Sequence, residues 1–235
     1  MSDLFLYHVQ MPILFTINFF NIYAIIWSVY IYLCQNKNNK KIHKYQKRDT
    51  LFKYIYYFAF CIIIQYMLQY SIIMIKDFIL IEYKITTAYF YQAFIIYLID
   101  DIYFYFFHRL LHTNKFLYNN IHKIHHTARS PYPINYIYAH PFEIAIGAGG
   151  TLLGIMIQYQ IYSVSLILFG IIKIIHEIYI HSGIICFQMK NKFLLSYIGC
   201  VKDHDIHHYY LIGNYGSNFN FMDRIFGTYI TNKYD

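Results

Sequence analysis

Charge is what this chain lacks most. Asp, Glu, Lys and Arg make up 13% of its 235 residues, about half the share usual in a soluble domain. Several motifs are missing as well. Cys34, Cys61, Cys186 and Cys200 form no Cys-x-x-Cys pair and no disulfide-framework spacing, so they read as reduced residues. The absence of His-Glu-x-x-His disfavours a zinc hydrolase. No His-Pro-Gly-Gly haem element and no Gly-x-Gly-x-x-Gly appear, which argues against a fused haem or flavin module. Positive charge is not organised around a soluble binding domain, so nucleic acid is excluded as a partner. The first apolar run has no basic leader and no small-residue cleavage site, and it is expected to be retained.

In place of charge there is apolar length. Hydrophobic residues make up 58% of the chain and aromatics 22%. Pro12–Leu33, Leu51–Ile75 and Thr86–Phe107 each reach the roughly 20 residues needed to cross a bilayer. Phe142–Ile175 is long enough for two spans turning near Gln158–Gln160. The expected fold is all-α: an integral membrane protein with about four transmembrane helices and a helical cap. Lys37, Lys40, Lys41, Lys44, Lys47 and Arg48 lie between the first two runs and mark the cytoplasmic side. A loop of this kind also suits anionic headgroups. Counting spans from it brings the end of the third run, and the segment after the fourth, back to the cytoplasm. Residues 1–90, with the basic loop 36–48, read as an anchoring region, and 91–235 as the catalytic domain.

Both of those returning ends carry histidine. Eight of the 13 histidines fall in three boxes: His108-x-x-x-His112, His122-x-x-His125-His126 and His204-x-x-His207-His208. At this chain's histidine content, one His-x-x-His-His is expected by chance about 0.04 times, yet two occur. On a helix, residues three and four apart share a face, so each box aims two or three imidazoles at one point. Eight nitrogens exceed the needs of a single four-coordinate ion, which points to two metals. His181 is the candidate for a ninth ligand. His176 is about 140° away round a regular helix and reads as a polar helix-end residue. His140, before Pro141, reads as a loop-fixing residue or a partner to a ligand. Asp101 lies two turns before His108 on the same face and is expected to accept that ring's other N–H. An alternative role for such an acid is pairing with a basic neighbour. Glu143 and Asp205 are weaker candidates for the carboxylate role, and Arg109 is suited to a phosphate or an acid.

The boxes, together with Asp100-Asp101 ahead of the first, resemble the fatty acid hydroxylase/sterol desaturase superfamily over about Ile95–Thr228. Tyr138-Ala-His-Pro-Phe-Glu143, His181-Ser-Gly183, Ile212-Gly-Asn-Tyr-Gly-Ser-Asn-Phe219 and Asp223-Arg-Ile-Phe-Gly-Thr228 look most like its C-4 methylsterol oxidase branch. Ile184 and Met222 depart from it, standing where tyrosine and tryptophan are usual. Tyr179 occupies a place that is often acidic. The resemblance implies two non-haem iron ions and dioxygen as co-substrate. It implies electrons from NAD(P)H through a separate donor, cytochrome b5 or its reductase, and an endoplasmic reticulum location with the boxes facing the cytoplasm. The implied activity is C-4 methyl oxidation of a sterol. The alternatives are a sterol desaturase, a sterol side-chain hydroxylase or a sphingolipid/fatty-acid hydroxylase. A haem- or metal-binding membrane protein without turnover is the reading from outside the family. Bis-histidine haem, however, needs single histidines on two spans rather than clusters at span ends.

Overall fold

The computed structural model describes residues 2–38, 59, 62–66, 72–81, 86–184 and 197–231. The basic loop 36–48 and most of the expected Leu51–Ile75 span lie outside these residues or outside their described side chains.

A short helix α1 (Ser2–Phe5) and a π-helical turn (Leu6–Gln10) lead into α2 (Met11–Asn38). Leu6–Leu33 is long and apolar enough to cross a membrane. Phe15, Phe19, Ile22 and Ile26 point outward, as expected of a helix solvated by lipid. The polar interruptions lie on the other side. Asn21 is buried and donates to Gln65 at 2.6 Å. Ser28, two turns on, accepts from the Ile134 amide at 2.9 Å.

Helix α3 (Ala88–Thr113) is the central strut. It is followed by α4 (Lys115–Asn120), which starts where the Asn114 side chain accepts from the Phe116 and Leu117 amides, both at 3.0 Å. Two 3-10 turns follow, His122–Thr127 and Pro133–Ile137. Next come α5 (Pro141–Gly147), α6 (Gly149–Ile157) and α7 (Ser163–Ile180). The expected turn at Gln158–Gln160 is present, with Tyr159 in the left-handed region at φ 62°. Ser163–Ile180 is the second helix of membrane-spanning length and composition, while Pro141–Ile157 is a shorter apolar stretch. Helices α8 (Val201–Tyr210) and α9 (Phe221–Ile225) complete the described chain. A strand pair departs from the all-helical expectation: β1 (Ile79–Leu80) runs parallel to β2 (Ile161–Tyr162), pairing Ile79 with Ile161.

Helices α3, α6 and α7 pack together around Ala93, Ile96, Ile155, Leu166 and Phe169. Lipid tails are as apolar as leucine, so close backbone approach must hold such helices. Gly150 and Gly154 provide it. A Cβ at Gly150 would lie 2.8 Å from the Asp100 Cα, and one at Gly154 would lie 2.9 Å from the Ile96 Cα. The same interface buries an ion pair. Asp100 accepts from Lys173 at 2.6 Å and from the Thr151 hydroxyl at 2.7 Å. Pairing with a basic residue thus falls to Asp100.

Candidate metal centre

Helix periodicity puts His108 and His112 one turn apart at the end of α3. His204, His207 and His208 lie along α8, and His181 is the residue after α7. The second box was expected on a short α-helix. It lies instead on the 3-10 turn His122–Thr127, tightly joined to α4. The structure brings all nine candidate imidazoles together in two groups. One contains His108, His112, His122, His126 and His207, and the other His125, His181, His204 and His208. Within each group the nearest ligand atoms all lie within 4.8 Å of one another. Boxes two and three are therefore shared between the groups, two imidazoles to one side and one to the other. Apart from His112, which is partly exposed, every ring is buried.

The rings are oriented from behind. His108 Nδ1 donates to the Tyr215 carbonyl (2.7 Å) and His207 Nδ1 to that of Gly213 (2.7 Å). His125 donates to Tyr138 O (2.9 Å), His208 to Ala128 O (2.9 Å) and His181 to Glu177 O (2.8 Å). Glu143 Oε1 accepts from His122 Nδ1 at 2.9 Å. A carbonyl or carboxylate at Nδ1 fixes that nitrogen as the protonated one, leaving a lone pair on Nε2.

Those lone pairs converge. His108 Nε2 is 3.0 Å from His122 Nε2, although both rings spend their proton at Nδ1. Other Nε2 pairs lie at 2.8 Å (His112–His122), 2.9 Å (His126–His122, His204–His181) and 3.2 Å (His207–His126). Two facing lone pairs at this distance repel unless a cation lies between them. A metal–nitrogen bond of about 2.1 Å gives an N···N edge of about 3.0 Å at 90°, against about 3.4 Å in a tetrahedron. The donor set and its spacing fit a metal ion.

Burial also keeps the rings neutral. Loss of water lowers His122 to about 3, and His125 and His181 to about 4. His126, His204, His207 and His208 lie well below the ordinary imidazole value for the same first reason, with neighbouring imidazoles adding to it. Neutral imidazole is the metal-binding form.

Asp101 behaves differently from its sequence expectation. It does not meet His108, whose Nδ1 is taken by Tyr215 O. Its Oδ1 accepts the backbone amides of Asn218 (2.8 Å) and Phe219 (3.3 Å). The physical reason is that the segment after Gly213 folds across α3 and presents its amides to the buried acid before any imidazole can. His176 lies outside both groups, with Nε2 3.3 Å from Ser217 O. His140 fixes a loop: its Nδ1 accepts from the Phe142 amide at 3.1 Å and starts α5. Arg109 donates to the Tyr105 hydroxyl at 3.2 Å and lies 5.8 Å from the Phe226 ring centre. Lys173 and the five carbonyl partners were not singled out from sequence. A lone lysine in an apolar run is a signal for Asp100's partner, but backbone carbonyls leave none.

Comparison with known proteins follows the same residues. Methylsterol monooxygenase 1 of Rattus norvegicus is 38% identical over 130 residues, covering 55% of this chain and 43% of that protein. The Gallus gallus protein of the same name is 39% identical over 130 residues, with coverage of 55% and 43%. Methylsterol monooxygenase 2-1 of Arabidopsis thaliana is 33% identical over 167 residues, covering 65% and 60%. The chain spans about half the length of the curated relatives it matches. No solved structure matches. The fatty acid hydroxylase model matches residues 93–228, which include all nine clustered histidines, and the chain belongs to that family.

Proposed function

We propose that this chain is a membrane-embedded non-haem di-iron oxygenase acting on a lipid C–H bond, with the C-4 methyl group of a sterol as its target. The observation that carries the proposal is the pair of imidazole groups, in which five rings donate Nδ1–H to backbone carbonyls and so turn their Nε2 lone pairs toward one another. The His108, His112, His122, His126 and His207 set would hold one iron, and the His125, His181, His204 and His208 set the other. Bound iron supplies dioxygen activation and C–H oxidation, which no side chain here provides. The similarity to methylsterol monooxygenases supports the sterol assignment.

The chain's own residues do the positioning. Carbonyl oxygens hold His108, His125, His181, His207 and His208 in one tautomer and one orientation. Glu143 adds carboxylate character behind His122 and makes that ring a stronger donor. Burial of the rings excludes bulk water from the reacting region. Hydroxylation places one oxygen atom in the C–H bond and releases the other as water, so it consumes two electrons and two protons. By family analogy those electrons come from a separate donor, cytochrome b5 or its reductase. The basic loop 36–48 offers an acidic donor a complementary surface.

The membrane arrangement belongs to the same proposal. Four spans, with the loop 36–48 in the cytoplasm, put the ends of α3 and α7 on the cytoplasmic side of the endoplasmic reticulum. Residues 1–90 then anchor a catalytic unit of 91–235. Metal analysis joined to lipid analysis tests the reading, comparing the intact chain with His125→Ala in cells lacking their own C-4 methyl oxidation. The intact chain should carry two irons and convert 4-methylsterols, and the variant should do neither. A different oxidised lipid would overturn the sterol assignment. An equally active His125→Ala would overturn the metal centre.

A further inference from the structure

The two imidazole groups are held by different parts of the chain. In the four-histidine group the visible Nδ1 partners are carbonyls of Ala128, Tyr138 and Glu177. In the five-histidine group two partners, the Gly213 and Tyr215 carbonyls, lie on one short strap, residues 213–219. That strap is tied down from several directions. Asp223 accepts the Tyr215 and Gly216 amides, both at 2.8 Å. Asp101 accepts the Asn218 and Phe219 amides, and Tyr97 donates to the Asn218 side chain at 2.9 Å. Glu177 accepts from the Ser217 hydroxyl. The Asn214 side chain accepts from the Ile230 amide at 2.8 Å and donates to the Ile230 carbonyl at 2.9 Å.

Asp101 is the least expected of these anchors. It is fully buried, seven residues and about 10 Å along α3 from His108. A buried acid in an apolar helix needs a strong compensating role. Two backbone amides of the strap are its described hydrogen-bond donors. Through them it fixes the loop whose Tyr215 carbonyl orients His108 on its own helix.

We infer that Asp101 is a positioning residue chiefly for the five-histidine group, acting through the 213–219 strap, which reaches the four-histidine group only where Ser217 meets the Glu177 side chain. This rests on the di-iron reading of the two groups. Partners standing behind metal-bound histidines are worth about 10–100-fold in metal affinity. Asp101→Ala, one step further removed, should weaken one of two binding events by up to that factor and change the other less. Asp101→Asn keeps an oxygen that accepts from both amides and should restore most of the loss. Tyr97→Phe removes one hydroxyl that donates to the same strap and should weaken the same site by a smaller factor.

The experiment titrates detergent-solubilised, metal-free full chain with Co2+ anaerobically, following the ligand-field bands and the stoichiometry. Amide exchange of the 213–219 peptide is measured on the same samples. Selective weakening of one site, faster strap exchange in Asp101→Ala and recovery in Asp101→Asn support the inference. Equal weakening of both sites, or unchanged binding and exchange, overturns it. Should Asp101→Ala not fold, Tyr97→Phe decides by the same criteria. If the wild-type chain binds fewer than two ions, the di-iron reading fails, while strap exchange still reports whether Asp101 holds residues 213–219.

Discussion

Gly150 gives the sharpest test of the packing that aligns the site. An alanine there puts its methyl group 2.8 Å from the Asp100 Cα, 3.0 Å from the Asp100 carbonyl oxygen and 3.1 Å from the Tyr103 Cβ. Carbon atoms pack comfortably at about 3.5–4.0 Å, so α6 must withdraw from α3 by roughly 1 Å. Two of the three obstacles are backbone atoms and cannot turn aside. Overpacking of this kind costs about 1–3 kcal/mol. The withdrawal also stretches the 2.7 Å bond from Thr151 to Asp100. For a chain of this size the cost corresponds to a fall in Tm of roughly 2–12 °C. Gly170 is the internal control, because nothing lies within 4 Å of a Cβ built there. Gly170→Ala should keep or raise Tm, since alanine favours a helix over glycine by about 1 kcal/mol. The assay is thermal unfolding of both variants in one detergent. A Gly150→Ala protein melting at or above the wild-type temperature would refute the close-approach account.

Other outcomes follow from the same contacts. Glu143→Leu removes the acceptor behind His122 and should weaken metal binding at the five-histidine group by about 10–100-fold, read by competition with a chelator; unchanged affinity would contradict the contact's role. Lys173→Met leaves Asp100 buried without its cation and should cost about 3–5 kcal/mol, with much of the loss recovered in Lys173→Met/Asp100→Asn, as thermal unfolding will show. Metal-free protein should lose stability on acidification. The folded rings of His122, His125 and His181 take up protons only near pH 3–4, whereas the unfolded chain takes them up below about 6.5. Their contribution is complete above pH 6.5 and declines as pH falls toward 4, so a Tm that is level or rising between about pH 7 and pH 5 would contradict it.

The sequence carried the histidine centre further than the fold that holds it. Spacing alone nominated His108, His112, His122, His125, His126, His204, His207 and His208, because ligands three and four apart announce a shared helical face, whereas His181 stood outside the boxes as a candidate ninth ligand. It did not show that His125 parts from His122 and His126, or His207 from His204 and His208. That division depends on how α8 meets the 3-10 turn His122–Thr127, a tertiary fact. Asp101 was recognised as a buried acid on the His108 face, but its partners are backbone amides more than 100 residues on. Backbone groups carry no residue signature, so neither these amides nor the carbonyls behind the rings could be read in advance. The apolar runs located α2, α3 and α7 and the turn at Gln158–Gln160. The two-residue strand pair escaped notice because periodicity has no meaning over so short a length.

The most direct measurement is iron content after anaerobic reconstitution of the full chain, with His126→Ala and His204→Ala as single variants of the two groups. The account predicts two irons per wild-type chain, one tightly bound iron in each variant, and dioxygen consumption with a lipid substrate only in the wild type. Fewer than two irons in the wild type, or undiminished dioxygen consumption in either variant, would contradict it.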